Sequence, residues 1–232
     1  MKLWMKIMIA IVSIVLIFLV IYLFTFKNHV TLSGLQKGTL PLMVSSPNLN
    51  HMNNSNYTYS LWFYIDDWNY RYGQEKDLLV VMDKDKNPCP RIYLDKVQND
   101  VYIQVACYSK NGPVVHECKI QNVSIQSWNN LIVSLYGRTL DVYLDGKLVR
   151  TCLLPGVAKI NDSEKISITP SGGFAGWTSS YTYYPNASNP NKVYRIYQEG
   201  YESGNFLTNL FGKYKLKVAF VEDNIEKGSL EI

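Results

Sequence analysis

From Tyr57 to Pro170 the chain is a succession of short segments in which apolar and polar residues alternate, each closed by turn residues. The segments read "YTYSLWFYIDDW", "DLLVVMD", "RIYLDKV", "DVYIQVACY", "HECKIQNVSI", "NLIVSLY", "LDVYLD", "KLVRTCLL" and "KISITP". Lys86-Asn87-Pro88, Asn99-Asp100, Asn111-Gly112-Pro113, Gly137-Arg138 and Asp145-Gly146 stand between them. A period of two places every second side chain on one face, so each segment is a strand with one apolar side. Many short antiparallel strands without a long amphipathic helix predict an all-β fold, an antiparallel β-sandwich of the jelly-roll kind. One short helix is expected at "NPNKVYRIYQEG", capped by Asn189, opened by Pro190 and ended by Gly200. The last twenty residues read as a terminal hairpin with a lysine row, Lys213, Lys215 and Lys217, on one face.

A second feature bounds where such a sandwich works. Residues 7–26, from Ile7 at one limit to Phe26 at the other, contain no charge, glycine or proline. Twenty helical residues rise about 30 Å, the thickness of the hydrocarbon core of a bilayer. This run is longer than the apolar core of a signal peptide and lacks a small-residue cleavage site, so an uncleaved N-terminal transmembrane helix is expected. Lys2 and Lys6 precede it and Lys27 and Lys37 follow it, which leans only weakly toward a cytoplasmic N-terminus. The tripeptides opening at Asn53, Asn56, Asn122, Asn161 and Asn186 fit the glycosylation pattern Asn-x-Ser/Thr. The domains expected are an anchor over 1–26, a stalk over 27–38 with Pro41 and Pro47 just beyond it, and a sandwich over 39–232.

The net charge is +4, with 23 basic and 19 acidic residues, and two of the basic ones precede the apolar run. A surface so near neutral argues against nucleic acid as a partner. Cys89, Cys107, Cys118 and Cys152 form no CxxC pair and have no metal-like spacing to histidine, so neither zinc nor any other metal is expected. If the segment between Cys107 and Cys118 is a hairpin centred on Gly112-Pro113, those two cysteines face each other, leaving Cys89 with Cys152. Four buried thiols are the alternative.

Asp141 and Asp145 flank Tyr143 in "TLDVYLDGK" and invite comparison with a catalytic carboxylate pair. Four strand residues separate them by about 13 Å at ~3.3 Å per residue. Carboxylates that cleave a glycosidic bond lie about 5–9.5 Å apart. Asp145-Gly146 is explained instead as the corner of a two-residue hairpin, with Asp141 and Tyr143 on the outward face. The three histidines, His29, His51 and His116, have no triad or metal partners in the sequence, and no cofactor motif occurs. No catalytic residues are therefore expected. The stretch "DDWNYRYG" is the candidate contact surface, in which Trp68, Tyr70 and Tyr72 offer rings and Arg71 offers donors, for a glycan or a protein partner. Packing over the rim of the sandwich is the competing account of the same residues.

"WNNLIVSLYGRTLDVYLDGKLV" resembles the central hairpins of concanavalin A-like and laminin G-like jelly rolls, in which a Trp opens a strand and a D-x-Y-x-D/N-G-K hairpin follows. "GGFAGWTSSYTYYPNASNPNKVYRIYQEGY" resembles the closing segment of that fold. "YTYSLWFYIDDWNYRYG", "GRTLDVYLDGKLVRTC" and "GGFAGWTS" together are similar to membrane-anchored proteins of large double-stranded DNA viruses of algae and protists. The likeness covers about residues 39 to 220. The glucanases of this kind carry E-x-D-x-x-E on one strand, whereas here Glu75 and Asp77 are followed by Val80, which argues against hydrolysis. Asp83 and Asp85 are only a faint echo of a calcium loop. The resemblance implies a non-enzymatic structural protein of the virion, a minor capsid or inner-membrane component contacting membrane lipid and capsid proteins. The alternative is a membrane-anchored lectin that binds glycans.

Overall fold

The computed structural model describes Trp4, Met8 and residues 11–19, 29–45, 56–160, 165–201, 217–222 and 225–231. In chain order the strands are β1 (Val30–Ser33), β2 (Gln36–Lys37), β3 (Leu42–Ser45), β4 (Tyr57–Asp67), β5 (Lys76–Met82), β6 (Pro88–Leu94), β7 (Val101–Cys107) and β8 (Val114–Ile120). They continue as β9 (Trp128–Tyr136), β10 (Thr139–Leu144), β11 (Lys147–Leu153), β12 (Lys165–Ile168), β13 (Ala175–Tyr184), β14 (Lys217–Glu222) and β15 (Ile225–Glu231). One helix, Pro190–Glu199, follows β13.

Two antiparallel sheets make the sandwich. The first runs β1-β13-β4-β9-β10-β11, with β2 also on β13, and the second runs β3-β12-β5-β6-β7-β8. Alternation decides which side of each strand faces inward. In β4, Tyr57, Tyr59, Leu61, Phe63 and Ile65 enter the core beside Leu131, Val133 and Leu135 of β9, while Ile92, Leu94, Ile103 and Val105 come from the other sheet. At about 25 cal/mol per Å² of apolar area, each fully buried Leu or Ile contributes roughly 2 kcal/mol.

The helix seals part of the outer face of the first sheet. Asn189 accepts the Lys192 N–H at 2.9 Å, Pro190 needs no donor in the first turn, and Gly200 ends the helix at φ 80°. Val193 and Ile196 then pack on Ile132, Tyr143 and Tyr184 in a second, smaller core. Tyr143 is thereby only 2% exposed, although alternation alone assigned it to the wet face with Asp141. Alternation reports the side of a sheet; what lies over that side is set by a helix fifty residues away.

Two expectations change here. Residues 29–38 of the segment expected as a stalk belong with the sandwich instead: Val30–Ser33 pairs with β13, Val30 opposite Tyr183, Leu32 joins the core, and Gln36–Lys37 also pairs with β13. The cysteines also pair differently. In the β7–β8 hairpin Cys107 lies opposite Val114 and Cys118 opposite Ile103, so Cys107 and Cys118 do not face each other. The disulfide is Cys118–Cys152, with Cα atoms 6.2 Å apart, joining the edge strand of one sheet to the edge strand of the other. Cys89 and Cys107 are buried thiols, and burial pushes the Cys107 thiol up.

Residues 11–19 are helical and their apolar side chains are exposed, Phe18 by 69%. Among the described residues no helix is long and apolar enough to cross a membrane. Ile7 and Phe26, the expected limits of the span, lie outside the described residues. So do Lys213 and Lys215 of the lysine row, while β14 and β15 pair as the expected terminal hairpin.

Candidate functional site

The loop after β4 holds the four residues singled out as contacts, and three of them turn inward. Trp68 packs on the core, donates its indole N–H to the Val97 carbonyl at 2.9 Å, and carries the Lys76 amine 4.6 Å from its ring centroid. Burial pushes that amine down, and the nearby Arg71 guanidinium adds to the effect. Tyr70 donates its hydroxyl to the Gly172 carbonyl at 3.0 Å. Arg71, at φ 52°, binds the Gly173 carbonyl and the Gln74 side chain. The loop is thus stitched to the glycine turn ahead of β13, and Tyr72 alone of the four is open to solvent, 58% exposed.

The carboxylates are likewise occupied. Asp145, at φ 51°, forms the hairpin corner with Gly146, and its carboxylate accepts the Asn130 N–H at 2.9 Å. Asp141 accepts the Thr151 hydroxyl at 2.6 Å across β10 and β11. Glu75 and Asp77 both hold Arg91, at 2.7 Å each. Asp83 is buried and ion-paired to Lys159; burial pushes its carboxyl up, but bonds from Lys159 and Asn87 outweigh that and hold it low. Among the described residues no three His, Cys, Asp or Glu side chains gather around one metal position.

An aromatic shelf that the sequence does not announce lies on the outer face of the first sheet. Trp177 of β13 stands directly opposite Tyr64 of β4, and Tyr64 directly opposite Trp128 of β9. Three rings therefore form a row across neighbouring strands, spaced by the ~4.8 Å strand separation. Tyr201, just past the helix, stacks on Trp128 with centroids 4.4 Å apart and planes 9° from parallel. Its position is set by two hydroxyls, because Ser179 and Ser180 both donate to the Tyr201 carbonyl, at 2.5 and 2.6 Å. Ser180 sits at φ 48° in a register shift of β13, which brings two successive serines to one acceptor. Below the shelf, Trp62 stacks on Tyr197 at 5.7 Å and fixes the end of the helix.

These rings wall an open hollow of about 440 Å³ lined by Leu35, Tyr64, Asp66, Trp128, Trp177 and Tyr201. Leu35 is 61% and Trp177 40% exposed, so apolar surface faces water with the Asp66 carboxylate at its margin. Such a surface can stack a flat apolar face and accept hydrogen bonds from hydroxyls at its edge. Its residues are far apart in sequence, and only strand register brings them together. Trp128 and Trp177, each near the start of a strand, were the signal available.

The model of the Concanavalin A-like lectin/glucanases superfamily, of the laminin G kind, matches residues 42–182, more than half of the chain. The chain belongs to that superfamily. No curated protein matches this concanavalin A-like domain. Among solved structures it is similar to the binding domain of botulinum neurotoxin serotype G, with a TM-score of 0.56 and 12% identity over 73% of this chain and 46% of that one. It is similar also to the serotype D/C binding domain, with a TM-score of 0.55 and 13% identity over 71% of this chain and 43% of that one. A further neighbour is the neurotoxin DC binding domain in complex with rat synaptotagmin II, with a TM-score of 0.55 and 11% identity over 74% and 46%. The concanavalin A-like domain thus spans less than half the length of these chains. At such identities the likeness is one of fold.

Proposed function

We propose that this chain is a membrane-tethered binding protein that acts by contact and without catalysis, and that its ligand is a carbohydrate held on the aromatic shelf. The observation that carries the reading is the cross-strand row Trp177, Tyr64 and Trp128, capped by Tyr201 and bordered by Asp66. Sugar rings present C–H faces that stack on indole and phenol, and hydroxyls that a carboxylate accepts. The superfamily, whose members include lectins, and the apolar N-terminal run agree with a tethered lectin. Full-length chain in lipid nanodiscs, applied to a glycan array, tests it. Trp128→Ala and Trp177→Ala are each expected to weaken binding roughly tenfold, about 1.4 kcal/mol, with folding unchanged by circular dichroism. Binding that survives both substitutions places the ligand elsewhere.

A second reading makes the partner a capsid protein. It keeps the same tether and places the sandwich on the inner membrane of a large DNA virus, as a minor capsid or inner-membrane component. The resemblance of the three motifs to membrane-anchored viral proteins and the exposed apolar helix over 11–19 support it. Crosslinking of purified virions is expected to join the sandwich to capsid components. Recovery of the chain from infected-cell membranes alone, with no such crosslinks, rejects this second reading.

A further inference from the structure

We infer that Asn122 and Asn186 are N-glycosylation sites, and that the sandwich therefore matures on the far side of the membrane from the N-terminus. Of the Asn-x-Ser/Thr tripeptides, two begin at exposed asparagines in connecting segments, Asn122 between β8 and β9 and Asn186 between β13 and the helix. Asn122 leaves β8 at φ 58°, with its backbone N–H on the Asp100 carboxylate at 3.0 Å. The next residue, Val123, is fully buried and donates to the Asn99 carbonyl at 2.8 Å, so the loop is pinned while the Asn122 side chain is exposed. Ser124, which completes the tripeptide, is exposed too. Asn186 is exposed in the turn between β13 and the helix, anchored through its carbonyl by the Thr58 hydroxyl at 2.9 Å. Ser188, which completes the Asn186 tripeptide, is buried, as Thr58 is in the tripeptide of Asn56; what sets Asn56 apart is that its carboxamide oxygen accepts the Gly137 N–H.

The disulfide supplies an independent observation. Cys118 lies in the strand that leads into the Asn122 loop, and its bond to Cys152 ties the two sheets together. Such bonds form and persist in oxidising compartments, which are also where asparagine is glycosylated. A hollow of about 450 Å³ beside Asn122, with Trp68 and the 41% exposed Ile125 in its wall, gives a first sugar ring an apolar surface to lie on. The co-reactant is an oligosaccharide linked to a lipid pyrophosphate. The asparagine Nδ2 forms a bond to the anomeric carbon as the bond from that carbon to the pyrophosphate oxygen breaks. The lipid pyrophosphate leaves with the electron pair, and the amide gives up one proton to a base of the transferase.

The inference rests on the membrane tether but not on the ligand of the shelf. The full chain is expressed in a eukaryotic cell with a secretory pathway, extracted with alkaline carbonate, and mapped by mass spectrometry with and without endoglycosidase. Glycans on both Asn122 and Asn186 are expected, with Asn122→Gln and Asn186→Gln each removing one mobility step and Ser124→Ala acting as Asn122→Gln does. An unmodified peptide at either position, in membrane or soluble fraction, overturns the inference. Retention of such an unmodified chain in the membrane pellet shows that the tether itself survives.

Discussion

Gly176 shows how much the site depends on a single backbone position. It sits at φ 151° where β13 crosses β4, and a Cβ there would lie 1.9 Å from the Tyr64 carbonyl oxygen. Tyr64 is the middle ring of the shelf, so a shift at Gly176 also moves the row. Gly176→Ala is expected to cost about 3 kcal/mol, from strain and backbone displacement together. Urea denaturation measures it, and a loss below about 1 kcal/mol would show that the strand accommodates the methyl group. At this scale the sequence was a good guide to turn chemistry, since Asp145 and Gly146 take the positive-φ corner expected of them. The separation of Asp141 and Asp145 excluded a carboxylate pair, and the structure gives each a hydrogen-bonding duty. It was a poor guide to which aromatics face water, because Trp68 and Tyr70 in "DDWNYRYG" look no different from Trp177 in "FAGW" until partners are assigned. Those partners, Val97 and Gly172, are carbonyls contributed by distant turns.

Strands β8 and β11 are edges of different sheets, and the Cys118–Cys152 bond is the covalent link between them. It closes a loop of 34 residues, for which chain entropy predicts a contribution of roughly 4 kcal/mol. Cys118→Ala with Cys152→Ala is therefore expected to lower unfolding stability by about that amount. Dithiothreitol should do the same to the native chain and nothing further to the double variant. Equal stability of the two chains would mean that the edges hold without the bond. The strands themselves and the helix Pro190–Glu199 were legible from alternation, turn residues and capping signals. The disulfide was not, since pairing in a hairpin depends on how many residues the turn takes up. Here Cys107 meets Val114, four residues short of Cys118. Register between strands distant in sequence is invisible for the same reason, and the shelf is made of it.

The whole molecule carries a titration signature in its tyrosines. Burial pushes Tyr57, Tyr59 and Tyr181 well above the ordinary phenol range, and Tyr183 up to about 12. In the unfolded chain these phenols ionise near 10. Their folded values are raised, so the unfolded state loses protons first and stability falls as pH rises past about 10, while below that it is unaffected. Each such phenol removes about 1.4 kcal/mol per pH unit in that window. Cooperative unfolding above about pH 10 is expected, with phenolate absorbance and loss of the β-sheet circular dichroism rising together. Phenolate formation that runs ahead of unfolding would mean that these rings are reachable in the native state. The sandwich as a whole was legible because alternation over so many segments admits few other architectures. The inclusion of residues 30–37 was not, since a four-residue strand among polar neighbours carries little pattern. Strand β1 is held along one side only, by β13, and just residues 27–29 separate it from the apolar run. In a tethered domain, tension from the bilayer would therefore act first on this strand, peeling Val30 from Tyr183 and then Thr31 from Thr182. Releasing residues 30–37 removes Leu32 from the core at a cost of roughly 2 kcal/mol and frees roughly 27 Å of chain. The β13–β4 seam stays closed meanwhile, so in such a tethered domain the edge strand would be stored slack between sandwich and bilayer.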